Sequence, residues 1–173
     1  MTSNKAAEDQ EKSDFLDTLS THRSFLRHAV RDLTDEQAGQ RTTVSELCLG
    51  GLIKHVTRAE RRWTGFIVGG PAAMDLSDEA AVKAHTDSFR MQDGDTLAGL
   101  LESYEEVARN TSDLVTALPS LDASQPLPES PWFKPGARWT VRRVLLHILA
   151  ETAQHAGHAD IIRESLDGAK TMG

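Results

Sequence analysis

The most informative part of the chain is VRRVLLHILAETAQHAGHADIIRESLDG, residues 141–168. It has the pattern of one long helix that begins after a Thr140 cap and ends at Asp167 and Gly168. Val144, Leu145, Ile148 and Leu149 make the helix apolar over much of its circumference. A helix of this kind is expected to belong to the core of a folded domain.

Ionisable residues interrupt this apolar pattern on one narrow face. At 100° per residue, His147, Glu151, His155 and His158 lie at about 0°, 40°, 80° and 20° around the helix axis. Burying a carboxylate among imidazoles is costly unless a cation compensates for it. Glu-to-His pairs four residues apart are common on solvated faces, but four such residues on a core helix favour a divalent-metal site. His147 alone is predicted to support the ligands or to pack in the core.

Helical periodicity also dominates the rest of the chain, where alternating strand patterns are scarce. Long helices are predicted at about 13–32, 45–68 with a Ser45 cap, 96–118 and 140–166, and short ones near 34–37 and 77–89. Five of the six prolines fall within 119–135, which is therefore predicted to be a loop. We hypothesise that this loop, with the following Trp139, borders the metal pocket. The alternative is a passive connection with its aromatic residues packed as anchors.

These elements predict an all-α fold, a four-helix bundle with long middle connections. Residues 13–168 are expected to form one domain after a flexible tail at 1–12. The length of 173 residues is sufficient for a single core.

Composition excludes several classes of function. The net charge of −7 argues against a broad nucleic-acid surface or an anionic-membrane surface. No apolar run approaches the ~20 residues of a membrane span, and the polar start has no secretion signal. The single cysteine, Cys48, is predicted to be a small buried hydrophobe and fits a cytoplasmic protein. We expect a small-molecule substrate, and the sequence is compatible with a homodimer.

The third metal ligand has to come from another helix, where His22, His28, His55 and His85 are the candidates. His28 and His85 have polar neighbours and are predicted to be exposed. His55 lies on the inward side of its helix, after Gly50 and Gly51, which allow another backbone or a ligand to approach closely. The pattern alone prefers His55 but leaves His22, on the apolar stripe of the first helix, as a competitor.

Two segments, SELCLGGLIKHVTRAERRW (45–63) and RWTVRRVLLHILAETAQHAGHADIIRESLDG (138–168), resemble the DinB superfamily of metal-binding four-helix bundles. In particular the chain is similar to its actinobacterial members related to mycothiol-dependent maleylpyruvate isomerases and S-transferases. The resemblance implies a DinB/YfiT-like fold with His55, Glu151 and His155 as metal ligands, and it selects His55 over His22. Many members have histidine at position 151, whereas the maleylpyruvate isomerase type has glutamate there.

The resemblance also implies a chemistry. Three protein ligands leave a coordination position open, as in catalytic sites. Zinc suits these donors best, with nickel, iron or manganese as alternatives. A low-molecular-weight thiol such as mycothiol would serve an S-transferase or isomerase, with His158 and Arg163 as candidate thiol contacts. Arg163 is off the ligand face, and its alternative partner is a surface carboxylate.

Two other functions remain open at this point. One is a non-catalytic protein that binds a metal or a small molecule. The other is a non-haem iron oxygenase, whose sites also use two histidines and one carboxylate, although the resemblance to a helical bundle disfavours it.

Overall fold

The computed structural model of the chain describes residues 2–74, 83, 86–131 and 133–171. Its long helices are α1 (Thr2–Ala29), α3 (Leu49–Gly69), α4 (Leu97–Ala117) and α5 (Val141–Asp167). Its shorter elements are α2 (Asp35–Gly39), a 3-10 helix (Gly70–Met74), β1 (Ser124–Pro126) and β2 (Arg138–Thr140). The predicted all-α bundle is confirmed.

Local capping fixes several helix ends where the sequence placed them. The Thr96 and Thr140 hydroxyls accept hydrogen bonds from Gly99 and Arg143 in the first turns of α4 and α5. Gly168 ends α5 in the left-handed conformation, at φ 79°, which glycine adopts without a steric penalty. A complete capping box on Thr34 begins α2.

Two predicted helix starts are wrong. Helix α1 begins at Thr2 instead of residue 13, so most of the expected tail at 1–12 is helical. Helix α3 begins at Leu49, with Cys48 at the N-cap position, and not at Ser45. The Ser45 hydroxyl instead accepts a hydrogen bond from Leu47 within a preceding bend. Cys48 is buried, as expected.

A small sheet that the sequence does not predict joins the predicted loop, which contains β1, to the residues just after it, which form β2. Strands β1 and β2 pair antiparallel, with Gln125 opposite Trp139. Because each strand has only three residues, there is no alternating pattern long enough to recognise. The sheet brings Trp139 to the start of α5.

The core consists of two apolar clusters at opposite ends of the bundle. Helix α1 packs along α5, and α3 packs against both α4 and α5. The first cluster is centred on Leu26, Leu52, Ile53, Tyr104 and Ile162. The second is centred on Leu19, Phe66, Val115, Val144 and Ile148. The order in which each helix meets the clusters shows that α1 and α5 run parallel, and that α3 and α4 run opposite to them.

A layer of buried polar residues separates the two clusters. Arg23, Glu60, Thr111, Thr152 and His155 are all buried at this level. The candidate site therefore lies halfway along the bundle, where the apolar clusters hold α3 and α5 together on either side of it.

The connection from α3 to α4 has to return along the bundle, because both helices run in the same direction. The short helix predicted at 77–89 falls on this connection and lies largely outside the described residues. Of that range, Lys83, Thr86 and Asp87 are helical, and Ser88 and Phe89 form a turn. None of the helices in the described part of the chain is long and apolar enough to cross a membrane.

Candidate metal centre

His55, Glu151 and His155 converge in the middle of the bundle. Helix α3 supplies His55, and α5 supplies the other two residues from positions four apart, which share a helix face. One ligand atom from each residue lies within 4.8 Å of the others. Both imidazoles are buried, whereas the Glu151 side chain keeps 31% of its exposure.

Both histidines direct Nε2 towards the same carboxylate oxygen. The distance to Glu151 Oε2 is 3.3 Å from His155 Nε2 and 4.0 Å from His55 Nε2. Each Nδ1 has a different neighbour, since His55 Nδ1 lies 3.1 Å from Ser88 Oγ and His155 Nδ1 lies 3.4 Å from His158 Nδ1. Metal-binding histidines have this arrangement, with one nitrogen for the ion and the other held by a partner.

The chemistry and spacing of these donors fit a divalent ion. Imidazole nitrogen and carboxylate oxygen bind zinc at about 2.0–2.2 Å, so tetrahedral ligands lie roughly 3.4 Å apart. The 3.3 Å separation of His155 and Glu151 already matches this spacing. His55, at 4.0 Å, needs only a small approach to reach it. Among the described residues, this is the one group of three or more donors that meets the geometry for a metal site.

The carboxylate of Glu151 is held in its charged form. Its hydrogen bond with His155 lowers its pKa, and the nearby His147, His155 and His55 act in the same direction against the opposing effect of burial. Burial in turn lowers the pKa of His147. The site therefore presents an ionised carboxylate, which is the form of a carboxyl group that a metal ion binds.

His147 connects the site to a group of aromatic residues. Its Nε2 lies 3.8 Å from Glu151 Oε1, and its ring packs 4.6 Å from Trp63 and 5.4 Å from Trp139. Trp63 and Trp139 are stacked at 4.8 Å, and Phe133 packs against Trp139. The end of the proline-rich loop thus reaches the site through packed aromatic rings. Trp132, which also belongs to this loop, lies outside the described residues.

The two predicted thiol contacts have different surroundings. His158 is half-buried, and its ring lies 5.4 Å from that of His155, so it adjoins the site. Arg163 is buried, and its guanidinium donates to the Ala29 and Arg31 carbonyls and to Asp167. Because Arg163 is also about 12 Å further along the helix than His155, the structure gives it a capping role at the end of α1.

Of the other candidate histidines, His22 and His28 do not join the cluster. His22 packs edge-on against Phe25 on α1, and His28 is exposed there as expected. His85 lies outside the described residues.

Ser88 and Phe89 are site residues that the sequence analysis missed. Ser88 is 1% exposed beside His55, and the Phe89 ring stacks on the His55 ring at 3.8 Å. The signal that pointed to them was Gly50-Gly51, which indicated a closely approaching backbone without identifying it. That backbone belongs to Phe89 and Arg90.

Comparison with known proteins identifies the family of the chain. A family model described as mycothiol S-transferase matches residues 14–168, which is most of the chain. A search of curated proteins found no match. The matched region contains α3, α4 and α5, the second half of α1 and every residue of the candidate site. The chain therefore belongs to the mycothiol S-transferase family, within the DinB-like superfamily.

Proposed function

We propose that this protein is a metal-dependent S-transferase that uses a low-molecular-weight thiol, mycothiol being the first candidate. His55, Glu151 and His155 hold the ion in this proposal. The observation that carries it is the convergence of both imidazole Nε2 atoms on Glu151 Oε2. The match to the mycothiol S-transferase family supports both the thiol and the type of reaction.

The donor set selects the metal only in part. Zinc suits two imidazoles and one carboxylate, while nickel, iron and manganese accept the same ligands. A divalent ion at this position supplies positive charge that favours the thiolate form of a bound thiol at neutral pH.

The protein's own residues hold and shield the reacting groups. Glu151 and the two histidines hold the ion, and Phe89 covers one face of His55. His147 and Trp63 form the wall on the Glu151 Oε1 side. These rings restrict the access of water. The partly exposed side of Glu151 is then the direction from which a substrate enters.

The overall reaction joins the thiol sulfur to an electrophilic carbon. A sulfur electron pair forms the new carbon–sulfur bond, and the leaving group departs with the electron pair of the bond that breaks. The thiol proton passes to water or to the leaving group. No redox partner is required.

A cobalt-substituted sample tests thiol binding directly. We expect titration with mycothiol, bacillithiol, glutathione and cysteine to produce a thiolate-to-cobalt charge-transfer band with at least one thiol. The His155→Ala variant should give no band. Protein freed of metal by a chelator should keep its helical circular-dichroism spectrum, because the bundle has its own core.

The second half of the test distinguishes an enzyme from a binding protein. The thiol that gives the strongest band is mixed with a reactive electrophile, and the loss of free thiol is measured with and without protein. Accelerated loss that requires the metal supports the transferase. A band without accelerated loss supports a binding protein, and the absence of any band leaves only metal binding.

A further inference from the structure

The last part of the connection between α3 and α4, residues 88–95, packs against one face of α3. The Cys48 sulfur lies 3.9 Å from the Phe89 carbonyl oxygen, and the Lys54 ammonium lies 2.6 Å from the Asp95 carboxylate. Gly51 and His55 complete this face, since residues three and four apart lie above one another on a helix. The contacts hold residues 88–95 against the first two turns of α3.

Gly51 is the point of closest approach. A Cβ atom at this position would lie 2.0 Å from the Phe89 carbonyl oxygen and 2.8 Å from the Arg90 nitrogen. Both contacts are with backbone, so no side-chain rotation can relieve them. A glycine at residue 51 is therefore required for the segment to lie where it does. At the neighbouring Gly50 the obstacle is the flexible Met91 side chain instead.

This close packing brings two groups onto His55, one turn further along α3. Ser88 Oγ lies 3.1 Å from His55 Nδ1, and the Phe89 ring is stacked on the imidazole at an interplanar angle of 21°. A hydrogen bond at Nδ1 and a ring against one face together define the direction in which Nε2 points. That direction is towards Glu151 Oε2.

We propose that Ser88, held in place by the glycine at residue 51, is a positioning residue for His55. Its hydroxyl oxygen accepts a hydrogen bond from the Nδ1–H group of His55, so that the lone pair of Nε2 faces the metal position beside Glu151. Partners of this kind raise the metal affinity of a histidine, and their loss typically weakens binding by about 10–100-fold. This inference rests on the proposed metal site, but it concerns residues that the family match does not assign a role.

The first test uses metal-free protein, so that it does not depend on the metal. Nitrogen-15 NMR of the neutral His55 ring at pH 8 reports which nitrogen carries the proton. We expect Nδ1–H in the natural protein, because Ser88 Oγ lies within hydrogen-bond range of Nδ1, at 3.1 Å. Ser88→Ala should shift the population towards Nε2–H. An unchanged population in Ser88→Ala would overturn the proposal.

The second test measures the zinc dissociation constant by competition with a chelator. Ser88→Ala should bind about 10–100-fold more weakly, and Ser88→Thr, which keeps the hydroxyl, should recover part of the loss. Ser112→Ala is the matched control, because that hydroxyl donates a hydrogen bond within α4, to the Ala108 carbonyl. Zinc affinity of Ser88→Ala within twofold of the natural protein would overturn the proposal.

A backbone variant tests the docking step. Gly51→Ala should weaken zinc binding at least as much as Ser88→Ala, while Gly69→Ala in the same helix should not, because its added Cβ meets nothing within 4 Å. Wild-type affinity in a folded Gly51→Ala protein would contradict the role of this glycine. If the natural protein itself takes up no zinc, the proposed metal site fails, and the NMR result still decides whether Ser88 positions His55.

Discussion

Two glutamates in the polar layer of the bundle show opposite ways of accommodating a buried carboxylate. Glu60 on α3 and Glu151 on α5 line the same small gap between these helices. Glu60 is 1% exposed and accepts hydrogen bonds from the Arg23 guanidinium and the Thr111 hydroxyl. Glu151 is partly exposed and faces three imidazoles at 3.3–4.0 Å.

The difference lies in where the compensating charge comes from. Arg23 supplies a permanent cation within the chain. The charge of the Glu60 carboxylate is therefore already compensated when the protein folds. The imidazoles around Glu151 are potential metal ligands instead of a permanent cation, and the partly exposed side of Glu151 allows an ion to enter. We infer that Glu60 serves stability and that Glu151 serves metal binding.

The largest expected effect tests the structural half of this comparison. Glu60→Gln removes the charge that compensates the buried Arg23. Removing one partner of a buried ion pair typically costs about 3–5 kcal/mol, and urea denaturation should show a loss of this size. Replacing both residues, as Arg23→Met with Glu60→Leu, should recover most of it. A loss below about 1 kcal/mol in Glu60→Gln would show that the pair is not a major source of stability.

The next effect tests the metal-binding half. His155→Ala removes a direct ligand, and we expect the zinc affinity to fall by at least about 100-fold, which corresponds to about 2.7 kcal/mol. The unfolding free energy of the metal-free protein should change much less than in Glu60→Gln. His28→Ala is the control, since His28 is exposed on α1. Full metal occupancy in His155→Ala would show that the site is wrongly assigned.

A smaller effect is expected at Arg163, a second buried cation whose partners lie within the chain. Arg163→Gln should lose hydrogen bonds to the Ala29 and Arg31 carbonyls and its pairing with Asp167. Leaving such groups unsatisfied costs about 1–3 kcal/mol, measurable by urea denaturation. Thiol titration of the cobalt protein should be unchanged. A weakened charge-transfer titration would instead restore Arg163 as a thiol contact.

Much of the bundle could be predicted because its signals are local. The cap at Thr140 and the glycine stop at Gly168 mark both ends of α5, and the period of the helix places Glu151 and His155 on one face. His55 could be selected with the help of the family resemblance. That these three residues bind a metal stays a prediction.

The parts that could not be predicted depend on contacts between distant segments. Ser88 and Arg23 have no local pattern that distinguishes them from ordinary helix or loop residues, since their partners His55 and Glu60 lie more than thirty residues away. The start of α1 was missed for the same reason. Its first turns carry no apolar stripe, and the contacts of Glu8 and Glu11 are with residues beyond position 119.

The smallest expected effect concerns this first part of α1, where a partly exposed carboxylate, Glu8, extends the comparison. Glu8 accepts hydrogen bonds from the Leu121 backbone and the Ser120 hydroxyl. The hydrogen bond from the Leu121 N–H has the largest effect and lowers the pKa of Glu8 below its usual value, and the hydrogen bond from the Ser120 hydroxyl acts in the same direction. A lowered folded-state pKa means that the contact stabilises the protein at pH values above the unfolded-state pKa of about 4.5, and that this stabilisation is lost as the pH falls through the folded-state pKa.

Hydrogen exchange of the Leu121 amide should therefore accelerate below about pH 4.5 relative to the middle of α1. In Glu8→Gln that acceleration should be largely absent, because the amide side chain does not titrate. An equal acceleration in both proteins would assign the acid sensitivity of this region to other groups.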